Sequence, residues 1–364
     1  MRSVTRVRSR DEGAVLVWVA LMMVVLIGFA ALVIDVGALY AEKRQLQNGA
    51  DAGALAVAQD CTNGGCGSGY VRADEYADLN AKDGAAAVDQ VCGRGPGLAG
   101  CPDPPPAAAA NASGWVRVRT STETSDGGDE VAFLLAPIVT ALTGSTVRAS
   151  AVAAWGPAGA GDALALTFST CEFEGLGGDP ANGVVPEDRT IIYFHGNDVS
   201  EGVGNCRPGS PSGADGPGGF GWLVDVAECQ VSINPDGWVD QEDGRDPNEL
   251  CIDALEDAFQ NKTSLRVVMY DNYCRPNGTD VLSGKACQYR DHYHVAGIAA
   301  FEVLGYKLQR YANGIIPPNP RNCRIRGGNT DCMYVKFVTT ALYGGEFGPP
   351  GAGDYGVRII KMVG

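Results

Sequence analysis

The hydrophobic pattern of this chain is dominated by Ala14 to Ile34, AVLVWVALMMVVLIGFAALVI, a run without a single charged side chain. As a helix rising about 1.5 Å per residue, it is long enough to cross a hydrocarbon core of about 30 Å. Arg2, Arg6, Arg8 and Arg10 precede the run and Asp35 closes it. Basic residues beside a span stay cytoplasmic, so the expected topology is single-pass, with the N-terminus inside and everything beyond Ile34 extracytoplasmic. A cleaved signal peptide shares the basic start, but its apolar core is usually about 7–15 residues. The nearest small-residue cleavage site, Gly28-Phe29-Ala30, lies inside the run. The buried core helix of a soluble protein is the remaining alternative.

Beyond the run, Val36 to Asp60 keeps a helical rhythm. Leu39, Leu46, Ala50, Ala54 and Val57 fall on one face, while Glu42, Lys43, Arg44 and Asp51 lie mostly elsewhere. This stripe is made largely of small residues and admits close approach of another element, so it is the expected helix-packing face. Together the two stretches predict one helix of about 70 Å, a pilin-like stalk.

The pattern then breaks up. From Cys61 to Ser113 the chain is rich in Gly and Pro, and only Ala73 to Val91 reads as helical. Trp115 to Arg119 alternates as a half-buried strand, Val131 to Leu142 reads as an apolar helix, and Ser145 to Trp155 as a returning strand. After the linker that begins at Gly156, apolar segments separated by turn residues predict strands at 163–168, 190–195, 221–226, 265–270, 293–308, 333–342 and 357–363. Asp246-Pro247-Asn248-Glu249 opens a helix with a capping signature, and Ile252, Leu255 and Phe259 line its buried face.

The fold class is therefore α+β. Residues 1–13 form a cytoplasmic basic tail, 14–34 the transmembrane helix, 35–60 the stalk helix and 61–156 a small α+β pilin-like domain with a loop-rich insert. A linker at 157–162 leads to a β-rich, disulfide-stabilised ectodomain with at least one helix at 163–364.

Charge and cysteines sharpen this. The net charge is −15, and the four arginines before the span make the part beyond it more acidic still. Such a surface lacks the basic face that nucleic-acid binders need. All twelve cysteines follow the span: Cys61, Cys66, Cys92, Cys101, Cys171, Cys206, Cys229, Cys251, Cys274, Cys287, Cys323 and Cys332. Even in number and placed on the external side, they read as disulfides. Zinc is the rival reading, but there is no CxxC, and His195, His292 and His294 are not interleaved with paired cysteines at finger spacing. Pairing in chain order would close short loops such as Cys92–Cys101 and Cys274–Cys287, although spacing alone leaves the connectivity open.

Three stretches carry a family resemblance: Arg10-Asp11-Glu12-Gly13 before the span, Asp35-Val36-Gly37 after it, and Lys43-Arg44-Gln45-Leu46-Gln47-Asn48-Gly49-Ala50-Asp51-Ala52 beyond. The combination resembles the TadE/TadG-like family of Flp (tight-adherence) pilus-assembly proteins over about residues 10–60. Gly218 to Leu223 and Tyr293 to Phe301 also resemble ectodomain signatures of some members. The resemblance implies a membrane-anchored, minor-pilin-like, non-enzymatic component whose partners are other pilus or envelope assembly proteins, met through the N-terminal helix. Two departures shape it. Val7 stands five residues before Glu12, where pilins cut by a prepilin peptidase carry Gly, and no Asp-x-Ser-x-Ser of a metal-binding adhesion module occurs.

Candidate chemistry is sparse. Ser232 to Asp243 places oxygen side chains at roughly calcium-loop spacing, with Asn234, Asp236, Asp240 and Asp243 as the weak candidate ligands. Ser at the first place, Asp at the last and Pro235 in between favour an acidic solvated turn. His292 and His294 would share one face of a strand, which by itself makes no metal site. No Gly-x-Ser-x-Gly elbow and no phosphate loop occurs, and no cofactor is expected. An anchored binding module or adhesin outside any pilus machine is the alternative function.

Overall fold

The computed structural model describes residues 12–139, 141–193, 220–224, 229–233, 237–240, 249–275, 277–280, 284–308, 324–325, 328–329, 332–349 and 351–364. Helix and sheet are mixed, so the chain is α+β. The described chain forms two compact units. One comprises the residues up to Val57 with Ser68–Cys92 and Arg117–Val152, and the other Ala58–Gly67, Gly93–Val116 and Ala153–Gly364.

The first unit is built on helix α1 (Glu12–Thr62), which runs without a break for 51 residues. At 1.5 Å per residue that is about 75 Å. From Val15 to Ile34 nearly every side chain is exposed. Beyond that, Leu46, Ala50, Ala54 and Val57 are buried and Leu39 is half-buried. A second helix, α2 (Gly69–Asn80), buries Gly69, Ala73 and Ala77. The strand residues of this unit, 86–92, 117–122 and 148–152, are neighbours in that order.

Two helical expectations are corrected here. The helix expected over 73–91 stops at Asn80, because Asp83-Gly84 makes a turn with Gly84 at φ 77°. The Asp78 carboxylate then accepts a hydrogen bond from the Ala86 N–H, 2.9 Å away, and Ala86, Val88 and Cys92 are buried at strand spacing. The apolar helix expected over 131–142 is instead a hairpin, with Val131–Ala132 paired antiparallel to Gly144–Ser145 and Ala136–Val139 helical between them. The strand at 114–122 is also covered more fully than its alternation suggested: Arg117, Thr120, Ser121 and Thr122 are all buried.

The second unit holds a mixed sheet in the order Thr190–Tyr193, Cys332–Val338, His292–Lys307, Ser264–Cys274, Gly161–Ser169 and Phe220–Trp222. Ser264–Cys274 runs parallel to Gly161–Ser169, and the other neighbours are antiparallel. Its helix Glu249–Asn261 buries Cys251, Ile252, Leu255 and Ala258, with Phe259 packed against the same core. The expected cap at Asp246 to Asn248 lies outside the described residues. Phe168, Phe173 and Phe301 surround Phe337 at ring-centroid distances of 5.6, 5.3 and 6.0 Å. In the same unit Val357–Met362 pairs with Thr340–Tyr343 in parallel and with Ala153–Pro157 antiparallel.

Disulfides join Cys61 to Cys66, Cys229 to Cys251 and Cys274 to Cys287. Cys92, Cys101, Cys171 and Cys332 are also disulfide-bonded. Cys206 and Cys323 lie outside the described residues.

Candidate functional site

The two parts of α1 have different surroundings. Among the described residues α1 is the one helix long and apolar enough to cross a membrane. Its uncharged part has side chains such as Leu21, Val24, Ile27 and Leu32 more than half exposed. Valine, leucine and methionine on every side of a helix match a hydrocarbon surround and fit poorly with water.

The part beyond Asp35 packs inside its own unit. A Cβ added at Gly49 would lie 3.1 Å from the Ala77 Cα, and one at Gly53 3.1 Å from the Ala73 carbonyl oxygen. Glycines four apart on α1 thus face alanines four apart on α2, so the backbones approach closely. A glycine inside a helix costs about 1 kcal/mol against alanine, and this contact explains why two are present. Polar neighbours tie the same stretch down. The Gln45 side-chain oxygen accepts from the Lys82 N–H at 2.6 Å, Gln47 donates to the Ser150 carbonyl at 3.1 Å, and Lys43 donates to the Arg148 carbonyl. The Thr120 hydroxyl donates to the Leu46 carbonyl at 3.0 Å.

The stripe expected to receive a partner is therefore covered, from Leu46 to Val57, by the chain's own α2 and strands. Gly53→Leu should force α2 away at a cost of about 1–3 kcal/mol. Faster amide exchange in Gly69–Asn80, with that of Glu249–Asn261 unchanged, is the expected reading.

Between the two parts sits Asp35, which is buried. Its Oδ1 accepts from the Leu134 N–H at 2.8 Å, and its Oδ2 from the Leu135 and Ala136 N–H groups at 3.2 and 2.6 Å. Burial works against the Asp35 charge, but the N–H groups of Leu134, Ala136 and Leu135 outweigh it and hold the carboxyl below its ordinary range. A carboxyl lowered in the folded state stabilises above the unfolded value of about 3.9, and this contribution is lost as the pH falls through the folded value. The exchange protection of the Leu134 to Ala136 amides should accordingly be flat near neutrality and collapse below about pH 4. In Asp35→Asn it should be low throughout.

A concave feature lies wholly within the second unit. A cavity of about 690 Å³ is lined by Asp271, His294, Tyr355, Pro180, Gly351 and Gly353, among others. The pairing of Ser264–Cys274 with His292–Lys307 slips on both sides of Tyr270, matching Tyr270 to Val295 and Asn272 to His294. Asp271 is thereby the extra residue, and such a bulge re-aims a side chain. Its Oδ1 comes 2.6 Å from the His294 Nδ1, and Trp238 meets the His294 ring edge-on at 5.2 Å. Gly297 leaves room for Tyr355, because a Cβ there would lie 2.6 Å from that ring. Burial, with smaller contributions from the Asp271 and Glu174 charges, pushes the Tyr355 phenol well up and keeps it neutral. An imidazole–carboxylate pair beside a neutral phenol is a hydrogen-bonding surface. No sequence signal pointed to Asp271 or Tyr355, because a bulge leaves no mark on the period.

Among the described residues the other sequence candidates form no shared metal cluster. His292 shares the strand with His294, but its Nδ1 lies 2.6 Å from the Arg290 carbonyl and 3.7 Å from Asp240. Of the four calcium candidates, Asp240 stands on the strand Trp238–Asp240 opposite His292, whereas Asn234, Asp236 and Asp243 lie outside the described residues, as does His195. Among the described residues no three His, Cys, Asp or Glu side chains are grouped to hold a metal.

With this geometry in place, comparison with known proteins bears on one segment. Residues 13–60 match the family model Tad, described as "Putative Flp pilus-assembly TadE/G-like". The match covers the exposed apolar part of α1, Asp35 and the packed stretch from Lys43 onward. No curated protein and no solved structure matches the chain.

Proposed function

We propose, from the premise that residues 13–60 form a TadE/G-like pilus-assembly domain, that this chain is a single-pass, minor-pilin-like, non-enzymatic component of Flp pilus assembly. In this reading the N-terminus is cytoplasmic and the disulfide-bonded units lie outside. The observation that carries it is the coincidence of the family match with a helix whose uncharged half is exposed and whose second half is packed. Basic residues before the span support the orientation.

Because the stripe from Leu46 to Val57 is occupied within the chain, neighbouring assembly proteins are met through the exposed helix at Ala14–Ile34. Photocrosslinkers at Leu21 and Val25 should capture another pilus or envelope assembly protein, whereas capture of lipid alone at both would refute this contact. External protease on wall-stripped cells should cut the 163–364 region and spare residues 1–13. An uncut 163–364 region would overturn the orientation.

The cavity at Asp271, His294 and Tyr355 favours a second reading, an anchored binding module. Deleting the gene separates the two. Lost pili support assembly, and intact pili with lost surface attachment support binding.

A further inference from the structure

The hairpin beside Asp35 has a composition that folding alone does not explain. From Val131 to Val147 the sequence VAFLLAPIVTALTGSTV carries no charge, the longest such run outside the anchor in a chain of net charge −15. A short hairpin of a strongly acidic protein would ordinarily be polar at its tip, because exposed apolar side chains gain nothing in water. Here Leu134 is 73% exposed and Leu142 61% exposed. Ala132, Pro137 and Ala141 are exposed with them.

The position of this hairpin is set by Asp35, the residue next after the uncharged run. Three consecutive N–H groups, of Leu134, Leu135 and Ala136, bond its carboxylate. The hairpin is thus fastened within one helical turn of the point where α1 leaves the hydrocarbon. On α1 itself the next exposed large hydrophobic side chains are Val36 and Tyr40, and the Arg44 guanidinium lies 4.6 Å over the Tyr40 ring. Aromatic and basic side chains at such a depth match the headgroup level of a bilayer.

From this juxtaposition we propose that the 131–145 hairpin is a second membrane contact, which inserts Leu134 and Leu142 into the boundary between headgroups and acyl chains. The inference rests on the reading that Ala14–Ile34 spans a bilayer, and continuity with that span identifies the occupant as lipid. Two apolar anchor points side by side fix the rotation and tilt of α1, which a lone span leaves to its neighbours. The carboxylate of Asp35 makes this possible, since it pairs three backbone donors that lipid could not satisfy.

The test uses the full chain in phosphatidylcholine–phosphatidylglycerol vesicles containing a lipid with a photoactivatable diazirine high on its acyl chain. Labelled peptides are quantified by mass spectrometry. Leu79 on α2, 72% exposed, reports an exposed leucine of the same unit that is not placed at the bilayer. The 131–147 peptide should carry about tenfold more label than the peptide containing Leu79, as expected of an interfacial apolar segment. The pair Leu134→Glu with Leu142→Glu should remove most of that excess and leave labelling of Ala14–Ile34 intact. Leu134→Ala with Leu142→Ala should give a smaller loss in the same direction. Labelling of 14–34 with the hairpin at the Leu79 level would overturn the proposal and leave the anchor standing. Absence of label from both would overturn the anchor and the proposal together. Full hairpin labelling in the glutamate pair would also overturn it.

Discussion

Val24→Arg combined with Ile27→Arg is expected to release the protein from the membrane fraction. Both side chains belong to the uncharged part of α1 and are 69% and 62% exposed. An arginine near the centre of a span costs about 2.5–3.5 kcal/mol for insertion, so two on the same helix approach about 6 kcal/mol. Neither touches the packed half of α1, so the folded units should be unaffected. The expected result is a shift of the protein to the soluble fraction, with its disulfides unformed because the chain stays in the reducing compartment. Retention in the membrane with all disulfides formed would refute the anchoring role of this helix. Val24→Leu is the neutral control.

Arg358→Ala should strongly destabilise the second unit. Arg358 lies on Val357–Met362 and its side chain is only 12% exposed. Its Nε donates to Asp354 Oδ2 at 2.7 Å, one terminal nitrogen donates to the Gly183 carbonyl at 2.7 Å, and the other donates to the Thr62 carbonyl. One guanidinium therefore joins three segments far apart in sequence, using the planar fork that lysine lacks. Truncation leaves a mostly buried Asp354 carboxylate without its counter-ion and two carbonyls without donors. Removing one partner of a buried pair costs about 3–5 kcal/mol. The slight exposure of both groups places this one near the lower figure, about 3 kcal/mol. Thermal unfolding of the full chain in detergent should show the loss. The double variant Arg358→Met with Asp354→Leu should recover part of it, because no charge is then left unpaired. Equal stability of Arg358→Ala and the natural chain would show that the contacts contribute nothing.

Helix α1 and the strands of the second unit were legible because their signals are local. An uncharged run, a helical stripe and apolar segments between Gly and Pro clusters each lie within one element. The 131–147 segment misled for the same reason: its apolar run reads as a helix, yet the hydrogen bonds that decide its conformation come from Asp35, about 100 positions earlier. The stretch after Asn80 misled because alanines suit a helix or a strand, and the turn at Gly84 chose the strand.

What the sequence alone determined is the uncharged run, its helical continuation, the acidic cysteine-rich part beyond it and the resemblance carried by residues 10–60. Tertiary structure decided which surface covers the small-residue stripe, since Ala73 and Ala77 of α2 meet Gly49 and Gly53 only once both helices are placed. It also decided that Asp271 meets His294 through a bulge, and that Arg358 reaches back 296 positions to Thr62. The physical reason is one of range. Helix period and apolar length are properties of neighbouring residues, whereas packing partners, bulges and long-range hydrogen bonds depend on chain closures that no local pattern encodes.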